Sequence, residues 1–360
     1  CEAVAALLAG AASAAPSLRG VHLALALAQR LAGGARSPRV LLLTRGAQVA
    51  AADASHAASD AAHGGVWGFA RVLRLEHPSL HAMSADAARG VEVASATRAL
   101  LGGLTSPPSG AAGAEAEVAF GSERRVSRLR RVAGTHSGRA AHCGAYAVTG
   151  GLGGLGLRGA ALLVELGASR VVLASRSGRV ARDGQGLAAQ LRSLGTAAEA
   201  VACDSADARE TGALCCARPL TGVLHAAGLG DAGLLVALDA PRMRWMIAAK
   251  ALGAWHLHCA TSTAPLEARL LYSSVGSGLG NVGQANYAAG NACPDPPARP
   301  SAAAPNASVW SRAFGSGTHV EFDGGSGVGT VFWASRAPQV GPPTNLTAVA
   351  NGCRCRWESM

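Results

Sequence analysis

Lysine is almost absent from this chain. Of 32 lysines and arginines, only Lys250 is a lysine. Aromatic residues are also scarce, with three tyrosines and five phenylalanines. So few flat rings exclude a base-stacking surface for single-stranded nucleic acid. The formal net charge of +10 would suit nucleic acid, but the arginines are mostly scattered, so no nucleic-acid partner is expected. A denser group, Arg124, Arg125, Arg128, Arg130 and Arg131, is expected on strands and a connector. Nearly half the residues are hydrophobic, yet no unbroken apolar run is long enough to span a bilayer, and no membrane association is expected. Nine cysteines, Cys215-Cys216 and Cys353-Arg-Cys355 among them, include no paired C-x-x-C spacing for zinc. They read as reduced thiols with no metal, in a cytoplasmic setting, a plastid one left open. The chain opens on Cys1, and its alanine-rich start has no basic region of a signal peptide. The first feature suggests a segment of a longer polypeptide, and the second makes a signal peptide unexpected.

The lone lysine invites a chemical reading. Arginine is a rigid, permanently charged fork, whereas lysine is a compact ammonium on a flexible stem. Such an ammonium would lower the pKa of a nearby phenol. Ser274 follows Lys250 by 24 positions, Tyr287 by another 13 and Asn291 by another 4. The plain alternative is a GC-rich gene that depletes lysine and leaves one at random.

A glycine run supports the chemical reading. Tyr146 to Thr149 read as a short buried strand and Leu155 to Leu166 as a helix. Between them, Gly151, Gly153 and Gly156 fit G-x-G-x-x-G, with Gly150 and Gly154 adding to the turn. Such glycines let backbone N–H groups approach a pyrophosphate at a helix N-terminus. The next strand, Arg170 to Ala174, ends at Ser175-Arg176-Ser177-Gly178. A site for NAD would usually carry a carboxylate here for the ribose 2′-hydroxyl. Arg176 between two hydroxyls suits a 2′-phosphate, which favours NADPH. A simple exposed arginine at a strand end is the alternative. Two further strand ends fit the same site. Cys203-Asp204 places a carboxylate for an adenine amino group, and His225-Ala226-Ala227-Gly228 is a small-residue turn over which a cofactor would pass. His225 reads as a packing or hydrogen-bonding residue rather than a general base.

These motifs together resemble the ketoreductase domain of a modular type I polyketide synthase, within the short-chain dehydrogenase/reductase superfamily. The resemblance rests on Thr149-Gly-Gly-Leu-Gly-Gly-Leu-Gly156, Leu173-Ala-Ser-Arg-Ser-Gly178, His225-Ala-Ala-Gly228, Lys250-Ala-Leu-Gly-Ala-Trp-His-Leu257, Tyr272-Ser-Ser-Val275 and Gly283-Gln-Ala-Asn-Tyr-Ala-Ala-Gly-Asn291. Most of the superfamily places lysine four residues after the tyrosine. Here Asn291 stands there, and the lysine comes from an earlier helix. The polyketide and related fatty-acid ketoreductases share that exchange.

The resemblance implies a fold and a chemistry. The fold is α/β with two Rossmann-like subdomains. Residues 1–140 would form a truncated, structural unit that binds no nucleotide, and residues 141–360 a catalytic doubly wound parallel sheet. The reaction would be NADPH-dependent reduction of a β-ketoacyl thioester on acyl carrier protein, with other synthase domains in the same polypeptide. Ser274 would bond the ketone oxygen and Tyr287 donate the proton. Lys250 would lower the tyrosine pKa and bond the nicotinamide ribose, while Asn291 holds the lysine or a relay water. The cofactor would lie along Thr149, Gly150, Gly151, Gly153, Gly154, Leu155, Gly156, the turn 175–177, Cys203-Asp204 and the turn 225–228. A basic face would suit the acidic carrier. Two rivals remain: a catalytically silent remnant kept for architecture, and a free-standing reductase of small ketones.

The first half supports the structural unit. Arg39-Val-Leu-Leu-Leu-Thr-Arg45 reads as a buried strand and Ala61 to Leu75 as a helix, and no glycine phosphate loop follows the strand. The stretch through Arg74-Leu-Glu-His-Pro78 matches the structural subdomain. Thr105 to Gly110 reads as a loop, and the boundary is expected near 133–143. The match weakens after Asn291. Pro294, Pro296, Pro297 and Pro300 cannot continue a helix, each costing about 3 kcal/mol. Tyr287 and Asn291 would still sit in its first turns. Ala307 to Trp310 resembles the next strand, and Gly315 to Gly329 stands where a lid belongs. In one stereochemical class a tryptophan precedes the tyrosine by eight residues, where Leu279 stands. In the other a Leu-Asp-Asp motif occupies the place of Gly230-Asp231-Ala232.

Overall fold

A computed structural model describes residues 3–8, 15–34, 37–48, 61–88, 115–121, 124–131, 143–180, 186–293, 310–312, 319–321, 329–333 and 353–359. It is an α/β structure with two Rossmann-like sheets. The loop expected at 105–110, most of the expected boundary at 133–143, the prolines at 294–300 and most of the glycine-rich stretch 315–329 lie outside the described residues.

The first sheet runs in the order β1 (Ala3–Leu8), β2 (Arg39–Arg45), β3 (Met83–Ala87), β4 (Glu117–Phe120), β5 (Arg124–Arg131), β14 (Cys353–Ser359). β1 to β4 are parallel, and β5 pairs antiparallel with both β4 and β14. The arginine-rich stretch is therefore a strand. β14, from residues 353–359, closes the other edge of this sheet against β5. Among the described residues, two helices serve this sheet. Helix α1 (Leu18–Ala32) begins at Ser17, whose side chain accepts from the Arg19 amide. Helix α2 (Gly65–Glu76) is buried over Gly65–Ala70, Val72 and Leu73.

The carboxyl edge of this sheet is where an α/β fold would receive a nucleotide. Here the buried Asp86 carboxylate fills it. It accepts from Thr44 Oγ1 at 2.7 Å and from the amides of Ala47 and Gln48 at 2.9 and 3.1 Å. Trp67 Nε1 donates to Thr44 Oγ1 at 3.1 Å. A fixed carboxylate thus takes the amides of Ala47 and Gln48 at this edge.

The second sheet runs β13 (Gly329–Trp333), β10 (Ala268–Ser274), β9 (Gly222–His225), β6 (Ala145–Thr149), β7 (Arg170–Ser175), β8 (Ala198–Ala202), all parallel. This is the doubly wound order, with its crevice between β6 and β9. The sequence expected the next strand at 307–310. Instead β13 comes from residues 329–333, and among the described residues β11 (Trp310–Arg312) pairs only with β12 (His319–Glu321). Strand β13 stands at the edge of this sheet and pairs in parallel with β10.

One apolar cluster joins the two halves. Val66, Phe69 and Leu73 of α2 pack with Leu235, Met243, Ile247, Ala285, Ala288 and Ala289. Each fully buried aliphatic or phenyl side chain contributes about 1.5–3 kcal/mol. The contact is close because α2 crosses α9 (Ala285–Ala292) at Gly68. A Cβ there would stand 2.2 Å from the Ala288 carbonyl oxygen.

Candidate active site

The four residues singled out from the sequence arise from three chain segments. Strand β10 ends at Ser274, whose Oγ caps helix α8 (Val275–Leu279) by accepting from the Gly276 amide at 3.2 Å. A strand-to-helix junction holds this hydroxyl by its lone pair and leaves its proton free to donate. Tyr287 and Asn291 lie one turn apart on α9, which ends at Ala292, before Pro294. Both residues therefore remain helical. Asn291 Nδ2 donates to the Tyr287 carbonyl at 2.9 Å. The buried Asn291 Oδ1 makes no hydrogen bond among the described residues. A buried acceptor of that kind calls for a donor.

Lys250 sits in a π-helical turn, Ala248–Leu252, between α6 (Ala240–Ile247) and α7 (Gly253–Ala260). Such insertions are rare and recur at functional positions. The lysine is only 5% exposed, and burial pulls its ammonium down to about 8. Its Nζ donates to the carbonyl of Tyr272 at 3.2 Å, two residues before Ser274. A Cβ on Gly290, between Tyr287 and Asn291, would lie 3.5 Å from Lys250 Cβ. The lysine, the serine strand and the tyrosine helix therefore meet. With one donor spent on Tyr272, the other two ammonium donors have no partner among the described residues.

His225 holds the π turn. One ring nitrogen, Nε2, lies 2.9 Å from the Lys250 carbonyl oxygen, and Nδ1 lies 2.7 Å from Thr149 Oγ1. Burial first, then the charge of Lys250, push its pKa down to about 3. A neutral ring that donates through Nε2 and accepts at Nδ1 satisfies both partners. Both nitrogens and the Thr149 hydroxyl are spent inside the protein. The side chains of Thr149 and His225 thus tie the end of β6 to the π turn.

The glycine turn has the shape a dinucleotide needs. Gly150 has φ +68°, and a Cβ there would lie 2.5 Å from the Ala227 backbone. Across the crevice between β6 and β9, the turns 149–156 and 225–228 thus touch. Helix α3 (Gly154–Glu165) starts at Gly153 without a side-chain cap, and a Cβ on Gly154 would meet nothing within 4 Å. The amides of Gly154, Leu155 and Gly156 open its first turn beside that open space, and Gly151 packs beneath it against Leu173. A pyrophosphate fits such an end. Arg176 is exposed after β7. Its neighbours Ser175 and Ser177 donate their hydroxyls to the Arg179 carbonyl at 3.2 and 3.5 Å, so they serve the turn first. The Cys203 side chain is buried, with its thiol pushed up to about 11 by burial, so only its backbone could line a ligand. Asp204 accepts from the Ala206 amide at 3.0 Å through Oδ1.

Several positioning residues carried no sequence signal of their own. The Arg71 guanidinium grips Glu117 at 2.7 Å through both Nε and Nη2, and Nη1 donates to the Ser277 carbonyl. Arg74 also bonds Glu117. Burial pushes the Glu117 carboxyl up, but the hydrogen bonds and charges of both arginines outweigh it and hold it below its ordinary value. Ser277 Oγ in turn donates to the Ser274 carbonyl at 2.6 Å. On the other side Asn286, next to Tyr287, donates to Asp231 at 2.6 Å, and Arg242 holds the same carboxylate at 2.6 and 3.1 Å. No periodicity marks such pairs, since they join residues far apart in the chain.

Residues 144–309 match the family described as KR domain. The chain belongs to the ketoreductase domains of modular polyketide synthases. It is 35% identical over 350 residues to polyketide synthase GfsB of Streptomyces halstedii, covering 93% of this chain and 6% of that protein. It is 41% identical over 151 residues to erythronolide synthase EryA2 of Saccharopolyspora erythraea, covering 41% of this chain and 4% of that protein. The chain thus spans a small fraction of these relatives. Among solved structures, an A-type ketoreductase from a modular polyketide synthase superposes with TM-score 0.64 at 35% identity, over 75% of this chain and 58% of that one. The ketoreductase from the first module of phoslactomycin biosynthesis in Streptomyces sp. HK803 gives 0.65 at 32% identity, over 81% and 65%. A ketoreductase fold of this superfamily implies a nicotinamide cofactor.

Proposed function

We propose that this chain reduces the ketone of a β-ketoacyl thioester, carried on acyl carrier protein, to a β-hydroxyacyl thioester with NADPH. The observation that carries this reading is the meeting of Lys250, from a π turn, with the serine strand and the tyrosine helix. Bound NADPH supplies the hydride to the carbonyl carbon. Tyr287 donates its phenolic proton to the ketone oxygen, and Ser274 donates a hydrogen bond to the same atom. Lys250 stabilises the tyrosinate left behind and also bonds the nicotinamide ribose. Its free donors and the bare Asn291 Oδ1 suit a bridging water that returns a proton to Tyr287. Gly150, Gly151, Gly153, Gly154, Leu155 and Gly156 would hold the pyrophosphate, Arg176 the 2′-phosphate and Asp204 the adenine. The turn 225–228 would border the nicotinamide half.

The test is NADPH oxidation with a β-ketoacyl thioester of N-acetylcysteamine, beside Tyr287→Phe. Turnover by the parent and a fall of about a hundredfold or more in the variant are expected. A folded parent that binds NADPH without turnover would favour the silent-remnant reading.

A further inference from the structure

The Arg74-Leu-Glu-His-Pro78 stretch takes no part in the chemistry above, yet its glutamate reaches the site. Glu76 ends helix α2 in the structural half. Its Oε1 accepts from the Gly283 amide at 2.8 Å, and its Oε2 from the Leu235 amide at 2.6 Å. Among the described residues it forms no ion pair, so both oxygens are spent on backbone N–H groups. The two amides belong to different segments. One segment leaves the 225–228 turn beside Lys250, and the other enters the helix of Tyr287 four residues later. The Gly233 amide also donates to the Gly283 carbonyl at 2.8 Å, which closes the pair. Gln29, again from the structural half, donates to the carbonyls of Leu235 and Leu238 at 3.1 and 2.7 Å. Directly before the two gripped amides stand Leu234 and Val282, which are 52% and 53% exposed. Large apolar side chains held open on both segments suit the hydrocarbon part of an acyl substrate.

We infer that Glu76 is a positioning residue, which acts through Leu235 and Gly283 to set the spacing of the two segments that receive the acyl chain. This rests on the ketoreductase reading above. A carboxylate accepting two amides makes stronger hydrogen bonds than a neutral group, and it pulls both segments toward one point. Its loss would let the chain lie in more than one orientation over Tyr287, without altering the lysine, serine or tyrosine themselves.

The experiment compares the parent with Glu76→Gln, which keeps the shape but turns an NH2 group toward one backbone N–H, and with Glu76→Ala. Four quantities are read: kcat and KM for an α-methyl-β-ketoacyl thioester of N-acetylcysteamine, the diastereomer ratio of the alcohol, NADPH affinity, and amide exchange at residues 233–236 and 280–284. In Glu76→Gln, KM should rise about tenfold or more and the diastereomer ratio should erode, with NADPH affinity unchanged. Exchange at the two segments should quicken. Unaltered KM and product ratio in variants of an active parent would overturn the inference, as would unaltered exchange. An inactive parent whose segments exchange faster in the variants would overturn the assigned reaction and leave the clamp standing.

Discussion

Gly228 and Lys250 compete for one volume. A Cβ built on Gly228 would stand 2.6 Å from the lysine Cε and 3.1 Å from its Nζ. The turn that borders the cofactor crevice therefore also sets where the ammonium lies. The colliding atoms are the far end of a flexible side chain, so the clash can be relieved by moving the lysine. Gly228→Ala should shift stability by no more than about 1 kcal/mol. It should lower kcat by about tenfold to a hundredfold, because a displacement near 1 Å suffices for that. A thermal melt beside steady-state kinetics checks this, and full activity in the variant would break the link between the turn and the lysine.

Burial of Lys250 should be visible as a stability cost. Its folded pKa, about 8, lies below the ordinary 10.5. Between those values the unfolded chain binds more protons, so stability rises with pH there, and below about 8 the cost is constant. It amounts to about 3 kcal/mol near neutrality. Lys250→Met should therefore be more stable than the parent by roughly 1–3 kcal/mol at neutral pH while losing ketone reduction. The stability gap should close between pH 8 and 10.5. Urea unfolding across that range measures it, and a gap independent of pH would contradict the assignment.

His225 should confer acid sensitivity. Its folded pKa lies near 3, below the ordinary 6.5. The unfolded chain takes the proton first, so this contribution is complete above 6.5 and is lost as pH falls toward 3. The slope is roughly 1 kcal/mol per pH unit. His225→Leu should destabilise by about 2–4 kcal/mol at neutral pH, since it strands the Thr149 hydroxyl and the Lys250 carbonyl. It should also flatten the acid slope. Denaturant midpoints in a series of acidic buffers decide, and a variant with the parent's slope would exclude His225 as its source.

Arg176 should choose the cofactor. Arg176→Ala should raise the KM for NADPH by about tenfold to a hundredfold, equivalent to losing one charge-assisted phosphate contact. The KM for NADH should be unchanged. Parallel weakening toward both cofactors would reassign the arginine to the turn itself.

The glycine motif and the strand–helix alternation were legible because each depends on local spacing. Helix α3 lies within a residue of the stretch expected from its apolar pattern. Helix α9 keeps Tyr287 and Asn291 in register because Pro294 follows its last turn. Less legible was how the segments would be shared. Strand β14 returned to the first sheet, and β13 filled a place expected of residues 307–310. Pairing between distant strands has no local signature.

By itself, the sequence determined which residues could hold a pyrophosphate, shift a phenol or donate a proton, since those follow from residue type and spacing. Only the tertiary structure decided which partners His225 takes, the Lys250 carbonyl and the Thr149 hydroxyl. It alone joined Arg71, Glu76 and Glu117 to the catalytic segments. The physical reason is that a buried polar group must find partners wherever the fold brings them. For Glu76 those partners lie 159 and 207 residues away.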